Sequence, residues 1–265
     1  MPVIRHAGVG IHYECHGAGT ALVFLHAGST NSSLWLFQAL TFARSYQVVL
    51  IDHRGHGQSD KPYEPYGIPT HAADVAAVLD ALAIETAVLV GNSIGGMTAL
   101  QFNLDHPARV LGNVLLSTGT GLGRDMTDEV RAAMLGNFLT AFDAMMEGTV
   151  SARTRRERPE LLPMLKAFHE VPSNYPEHSF AASFGAPDGP FDWDISARLH
   201  EIQAPTLVLA GSEDQLIPPA VSATLAAALP GAVYREIEQV GHFFQLEQPL
   251  AFNAELAGFL EGLHA

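Results

Sequence analysis

The chain has 265 residues, 48% of them hydrophobic and 16% charged, with a formal net charge of -14. The apolar fraction supports a large core and excludes a disordered chain. The acidic balance argues against nucleic acid or an anionic membrane surface as partner.

Residues 9–16 and 21–26 read as strands, the second running into the small-residue turn His26-Ala27-Gly28-Ser29. Ser29 to Ser33 offer helix caps, and residues 34–43 carry apolar residues at helical spacing. Residues 47–52 form a short buried strand. Thr70 is placed to cap a helix over 71–82, whose Val75, Val78, Leu79 and Leu82 share one face. A strand over 87–92, a helix-capable stretch over 97–105 and a strand over 110–117 follow. Strands alternating with helices predict an α/β fold, a mostly parallel central sheet with helices on both faces.

The alternation stops after Ser117, and the next strand begins near Thr206. Structureless loops beyond about 12–15 residues are uncommon in compact domains, so this connection has structure of its own. Residues 125–147 and 159–170 are expected to be helical. In the first, Leu135, Phe138, Phe142, Met145 and Met146 follow i, i+3, i+4 spacing. Residues 120–195 therefore read as a helical cap over the carboxyl ends of the strands, where ligands bind in open α/β sheets. Strands over 206–210 and 232–237 and a helix over 250–263 complete the chain.

Gly91-Asn92-Ser93-Ile94-Gly95 is a G-x-S-x-G pattern in the strand–turn–helix context that exposes a nucleophilic serine. Glycine on both sides lets neighbouring backbone pass close to the turn. Ser93 is the candidate nucleophile. An acid and a base follow, each just after a predicted strand: Gly211-Ser212-Glu213-Asp214, then Val240-Gly241-His242. The order serine, acid, histidine suits nucleophilic catalysis on a parallel sheet. His242 is the expected base. Asp214 and its neighbour Glu213 compete as the orienting acid, with Asp194 a remote third. The N–H of Ile94, at the start of the helix after Ser93, is one expected oxyanion donor.

These motifs resemble those of α/β-hydrolases, in the branch of 3-oxoadipate enol-lactonases, small bacterial esterases and cofactor-free haloperoxidase-like proteins. The residues carrying the resemblance are Leu25 to Ser29, Asp52 to Asp60, Gly91 to Gly96, Ala210 to Asp214, and Gly241-His242 with Leu246 to Pro249. The resemblance covers roughly residues 10–118 and 197–262. It implies an α/β-hydrolase core over 1–119 and 196–265, with the cap of 120–195 inserted after the sixth strand. It favours Asp214 as the acid and Gly28 as the second oxyanion donor, Ala27 standing where the family usually has glycine. The implied activity is hydrolysis of a small ester or lactone through an acyl-enzyme, with no metal or organic cofactor and a small molecule as partner. A homodimer is compatible with it. Asn92 reads first as a support of the Ser93 turn and Phe138 and Phe142 as cap core; with Trp193 they are also the candidate substrate contacts.

His26 reads as a structural tie in its turn, and Asp52 to Asp60 as loop scaffolding with Arg54 paired to a carboxylate. Arg153, Arg155, Arg156 and Arg158 read as a solvated face; the sharper alternative is a clamp on a substrate carboxylate. Two other functions stay open. One is a carbon–carbon bond hydrolase of the meta-cleavage type, although His26 to Thr30 lacks that family's Gly-Pro-Gly stretch. The other is a ligand receptor on the same fold. One cysteine, Cys15, excludes an intrachain disulfide and fits a reducing, cytoplasmic setting. The first residues have no apolar signal core, no stretch approaches the roughly 20 apolar residues of a membrane helix, and the histidines fall in no metal-binding spacing.

Overall fold

The computed structural model describes residues 2–123, 127–137, 143, 145–171 and 173–263. Eight strands among them form one sheet in the order β1-β2-β4-β3-β5-β6-β7-β8. They are β1 (Val3–His6), β2 (Val9–His16), β3 (Ala21–Leu25), β4 (Gln47–Ile51), β5 (Ala87–Asn92), β6 (Val110–Leu116), β7 (Thr206–Gly211) and β8 (Val233–Ile237). β1 and β2 pair antiparallel with their neighbours, and the rest of the sheet is parallel. β3, β5 and β7 are buried along their whole length. Such strands must be apolar on both faces, and Ala21–Leu25 and Ala87–Val90 are continuous apolar runs for that reason.

Side chains alternate across the sheet. Leu22, Phe24, Val88 and Val90 enter one core with helix α1 (Leu36–Phe42) and the C-terminal helix α10 (Pro249–Gly262). Val23, Leu25 and Leu89 enter the other with α2 (Ile68–Ala81), α3 (Ile94–Asp105) and α8 (Pro219–Ala228). The strand order turns at β3, with β4 on one side and β5 on the other. The crevice above the carboxyl ends of strands at such a point is where open α/β sheets bind ligands.

Between β6 and β7 the described residues contain no strand. They contain α4 (Asp128–Gly136), capped by Thr127, then α5 (Ala152–Glu157), α6 (Leu161–Glu170) and α7 (Glu177–Phe184). A short helix α9 (Phe244–Glu247) precedes α10. Among the described residues no helix is long and apolar enough to cross a membrane.

Several sequence expectations change. The helix expected over 34–43 divides into a 3-10 turn, Ser32–Trp35, and α1. α2 begins at Ile68 after the extended residue Gly67, because Pro69 fits the first helical turn; Thr70 is inside the helix. β1 and α7 were not expected. The helix expected over 125–147 is represented by α4 and a 3-10 turn at Glu147–Thr149. Phe138 and Phe142 lie outside the described residues.

Arg54 and Asp74 join the loop after β4 to α2. Nε and Nη2 of Arg54 donate to the two oxygens of Asp74, both at 2.6 Å, and both residues are buried. His6 Nδ1 adds a contact to the same carboxylate at 2.7 Å. Removing one member of a buried pair leaves the other charge uncompensated. Asp74→Ala should therefore cost about 3–5 kcal/mol in urea unfolding. A loss below about 1 kcal/mol would contradict this reading of the pair.

Candidate active site

Ser93 occupies the turn between β5 and α3 with φ 56° and ψ -118°. That left-handed conformation is costly for a residue with a side chain. It is held from several sides: Ser93 N–H donates to Leu116 O at 3.0 Å, and Thr118 Oγ1 donates to Ser93 O at 2.8 Å. The flanking glycines are required by contact. A Cβ on Gly91 would fall 2.4 Å from Gly95 O, and one on Gly95 would fall 2.1 Å from Leu25 O.

Ser93 opens onto a cavity of about 510 Å³, shared with Ala27, Gly28, Ile94 and His242. As the first residue of α3, Ile94 carries an N–H that no preceding helical turn can accept. Gly28 lies in the turn after β3, a Cβ built on it being 3.5 Å from Phe184. His242 Nδ1 lies 2.8 Å from Asp214 Oδ2, and both residues are buried. Asp214 Oδ1 accepts the N–H groups of Leu216 and Ile217, each at 2.9 Å. The carboxylate is thus oriented by backbone and accepts from Nδ1–H, which leaves Nε2 as the available base nitrogen. Glu213 does not face the histidine; its Oε2 accepts the N–H of Ala152 at 2.7 Å.

The remaining walls are mostly apolar, with the hydroxyls of Thr120, Ser196 and Thr224 as their polar members. Met134, Met145, Met146, Phe180, Phe184 and Phe191 come from the segment between β6 and β7, and Ile217, Val221 and Leu225 from the region of α8. No arginine or lysine is among the described residues of the lining. The Phe180 and Phe184 rings stack at 4.5 Å. The i, i+4 spacing of these phenylalanines on one helix face was the sequence signal that could have found them.

Two expected substrate contacts lie elsewhere. Trp193 is buried in the core, its Nε1 donating to Gln101 Oε1 at 2.8 Å. Asn92 is fully buried: Nδ2 donates to Leu116 O and His242 O, and Oδ1 accepts from Gln245 Nε2 at 3.0 Å. The arginine run is also accounted for without substrate. Arg153 and Arg156 pair with Glu157, Arg155 with Glu147, and Arg158 with Glu160 and Leu246 O.

The turn carrying Ala27 and Gly28 rests on a cluster of buried imidazoles. His53 N–H donates to His26 Nε2 at 3.0 Å, so Nδ1 of His26 carries the hydrogen and donates to Ala27 O at 2.7 Å. Thr30 Oγ1 donates to the same carbonyl. The ring of His26 meets those of His53 and His56 edge-on, and His71 packs on His53 at 4.9 Å. Burial lowers the pKa of all four, with further lowering at His53 and His56 from their neighbours; His71, beside Arg54, falls to about 3. Asp52, packed beside them, accepts from His12 and from the N–H groups of Ser32 and Gln58. Burial pushes its pKa up, but these bonds and His26 hold it below the usual carboxylate range.

A depressed imidazole gives stability that is present above the free value of 6.5 and lost as pH falls through the folded value. Each should remove up to about 1.4 kcal/mol per pH unit within that window. Urea midpoints should drop steeply from pH 7 to pH 4, and His71→Phe should make the drop shallower. A flat profile, or an identical slope in the variant, would contradict the assignment of neutral imidazoles.

Residues 20–249 match the family model described as alpha/beta hydrolase fold. Among solved structures the chain is similar to one titled "Est816 as an N-Acyl homoserine lactone degrading enzyme". The two are 53% identical over 97% of this chain and 100% of that one, with a TM-score of 0.95. It is 32% identical to the putative carbamate hydrolase RutD of Caulobacter vibrioides, over 96% of each chain. It is also 32% identical to a 2-hydroxy-6-oxononadienedioate/2-hydroxy-6-oxononatrienedioate hydrolase of Paraburkholderia phymatum, over 94% of this chain and 90% of that one. The chain belongs to the α/β-hydrolase fold family and is a hydrolase.

Proposed function

We propose that this protein is a serine hydrolase that opens small lactones or cleaves small esters bearing an apolar acyl group. The observation that carries the reading is the meeting of Ser93 and the Asp214-oriented His242 at the wall of one apolar cavity. In this reading His242 Nε2 takes the proton of Ser93 Oγ as the oxygen attacks the carbonyl carbon. The N–H groups of Gly28 and Ile94 receive the developing oxyanion, aided by the positive end of α3. The imidazolium then protonates the departing alkoxide, which in a lactone stays tethered to the acyl group. Water, deprotonated by the same imidazole, releases the acid. Asp214 fixes the tautomer and stabilises the imidazolium throughout.

The described residues between 120 and 195 serve as a helical cap that roofs the site with methionine and phenylalanine side chains. Similarity to the homoserine-lactone-degrading enzyme supports an acylated lactone as one substrate class. The relatives also include hydrolases of dioates, which favours carbon–carbon bond cleavage as a second reading. A dioate brings carboxylates that need cationic partners, and the described lining supplies none. The neutral, apolar acyl group is therefore preferred.

The test is turnover of N-hexanoyl homoserine lactone, p-nitrophenyl butanoate and a carboxylate-bearing lactone, with Ser93→Ala beside the wild type. The neutral substrates should be hydrolysed at least tenfold faster than the anionic one. Ser93→Ala should lose about 10⁴-fold or more in kcat. Comparable turnover by the alanine variant, or a preference for the anionic lactone, would overturn the reading.

A further inference from the structure

The base of the cap is bonded to the two loops that present Asp214 and His242. Gln215 N–H donates to Gly148 O at 3.1 Å, and His242 N–H donates to Thr149 O at 2.7 Å. Two carboxylates extend this seam. Glu213 accepts the N–H of Ala152 at the first residue of α5. Glu247, the last residue of α9, is buried and reaches in two directions. Its Oε1 accepts the N–H of Gly241 at 2.8 Å, and its Oε2 accepts the N–H of Ser151 at 3.0 Å.

We propose that Glu247 is a positioning residue: by gripping Gly241 and Ser151 at once, it fixes the backbone of His242 against the base of the cap and so aims the imidazole at Ser93. The inference rests on the reading of Ser93 and His242 as nucleophile and base. Space at this seam is tight; a Cβ on Gly241 would fall 2.3 Å from Thr149 O. A side chain at position 241 would therefore push the His242 loop away from this seam. A misplacement of about 1 Å at a reacting group costs on the order of 100-fold in rate. The chemistry also demands a carboxylate. Both oxygens accept an N–H, so a glutamine of the same size must turn its NH₂ toward one of these donors. The bond to Ser151 links the position of the cap to that of the base.

The experiment compares wild type, Glu247→Gln, Ser151→Pro and the double variant on p-nitrophenyl butanoate. Labelling of Ser93 by a fluorophosphonate and near-ultraviolet circular dichroism are followed alongside. Proline fits position 151, where φ is -63° and ψ 155°, after Val150 in extended conformation. It deletes the donor that faces Glu247 Oε2 and also the Ser151 hydroxyl that caps α5. Ser151→Ala, which loses the cap and keeps the donor, is the reference for its effect. Glu247→Gln should lower kcat and the labelling rate about 10- to 100-fold with KM within about twofold. Ser151→Pro alone should lower kcat a few-fold. In the double variant the amide NH₂ no longer meets an N–H, so kcat should recover at least threefold relative to Glu247→Gln. A merely structural role gives no such rescue, because the second change only adds damage.

A Glu247→Gln enzyme with kcat within twofold of wild type would overturn the proposal, as would a double variant no better than Glu247→Gln. If Glu247→Gln does not fold, Ser151→Pro decides: a fall in kcat at constant KM supports the proposal, and an unchanged kcat overturns it. A wild type with neither turnover nor Ser93 labelling overturns the hydrolase reading, and this inference with it.

Discussion

The close backbone contact between the start of α3 and the end of β3 is the constraint on which the site depends. Gly95 rests against the carbonyl of Leu25, and Gly91 against Gly95, at distances no side chain permits. This seating lets a helix begin directly above the strand ends and bends the chain through Ser93 in a left-handed conformation. It also brings the positive end of α3 beside the turn after β3, where Gly28 lies. The strain at Ser93 costs about 1–3 kcal/mol. Bonds from Ser93 to Leu116 and from Thr118 to Ser93 offset it. Enlarging either glycine would move the serine and one of the expected oxyanion donors together.

The polar groups near the site divide into two populations. The cavity itself is apolar, with Ser93 and His242 among its few polar members. The ionisable groups around it are committed to scaffolding. Arg54 and Asp74 neutralise each other, Asp52 gathers backbone donors, and the buried histidines sit neutral beneath the turn after β3. Glu213 and Glu247 serve backbone N–H groups at the seam with residues 151 and 152. In the proposed reaction, the mostly apolar walls strengthen the electrostatic action of the Asp214–His242 pair and the end of α3.

Much of this was legible in the sequence because the signals are local. Buried parallel strands must be apolar on both faces, and the glycines of the Ser93 turn stand in a fixed short pattern, although the contact that forces Gly95 comes from Leu25 on another strand. The assignment of ligand contacts was harder, since the direction of a loop side chain depends on partners far along the chain. Trp193 faces Gln101 and Asn92 faces Gln245, and neither pairing has a local signature. Asp214 and Glu213 are adjacent, yet one contacts His242 and the other Ala152; the resemblance favoured Asp214 where spacing left both open. The cap position of α2 is Gly67 rather than Thr70 because a proline in the first turn suits a helix as well as a capping hydroxyl does. The segment between β6 and β7 was the least legible. Its described helices α4 to α7 are too short for a periodic stripe to fix their ends.

The most direct measurement is a rapid acid quench of the wild-type protein during turnover of p-nitrophenyl hexanoate, followed by peptide mapping by mass spectrometry. The expected result is a hexanoyl group on Ser93, present in the steady state and absent from Ser93→Ala. Efficient turnover with no acyl group on Ser93, or with the acyl group on another residue, would contradict nucleophilic catalysis at this serine.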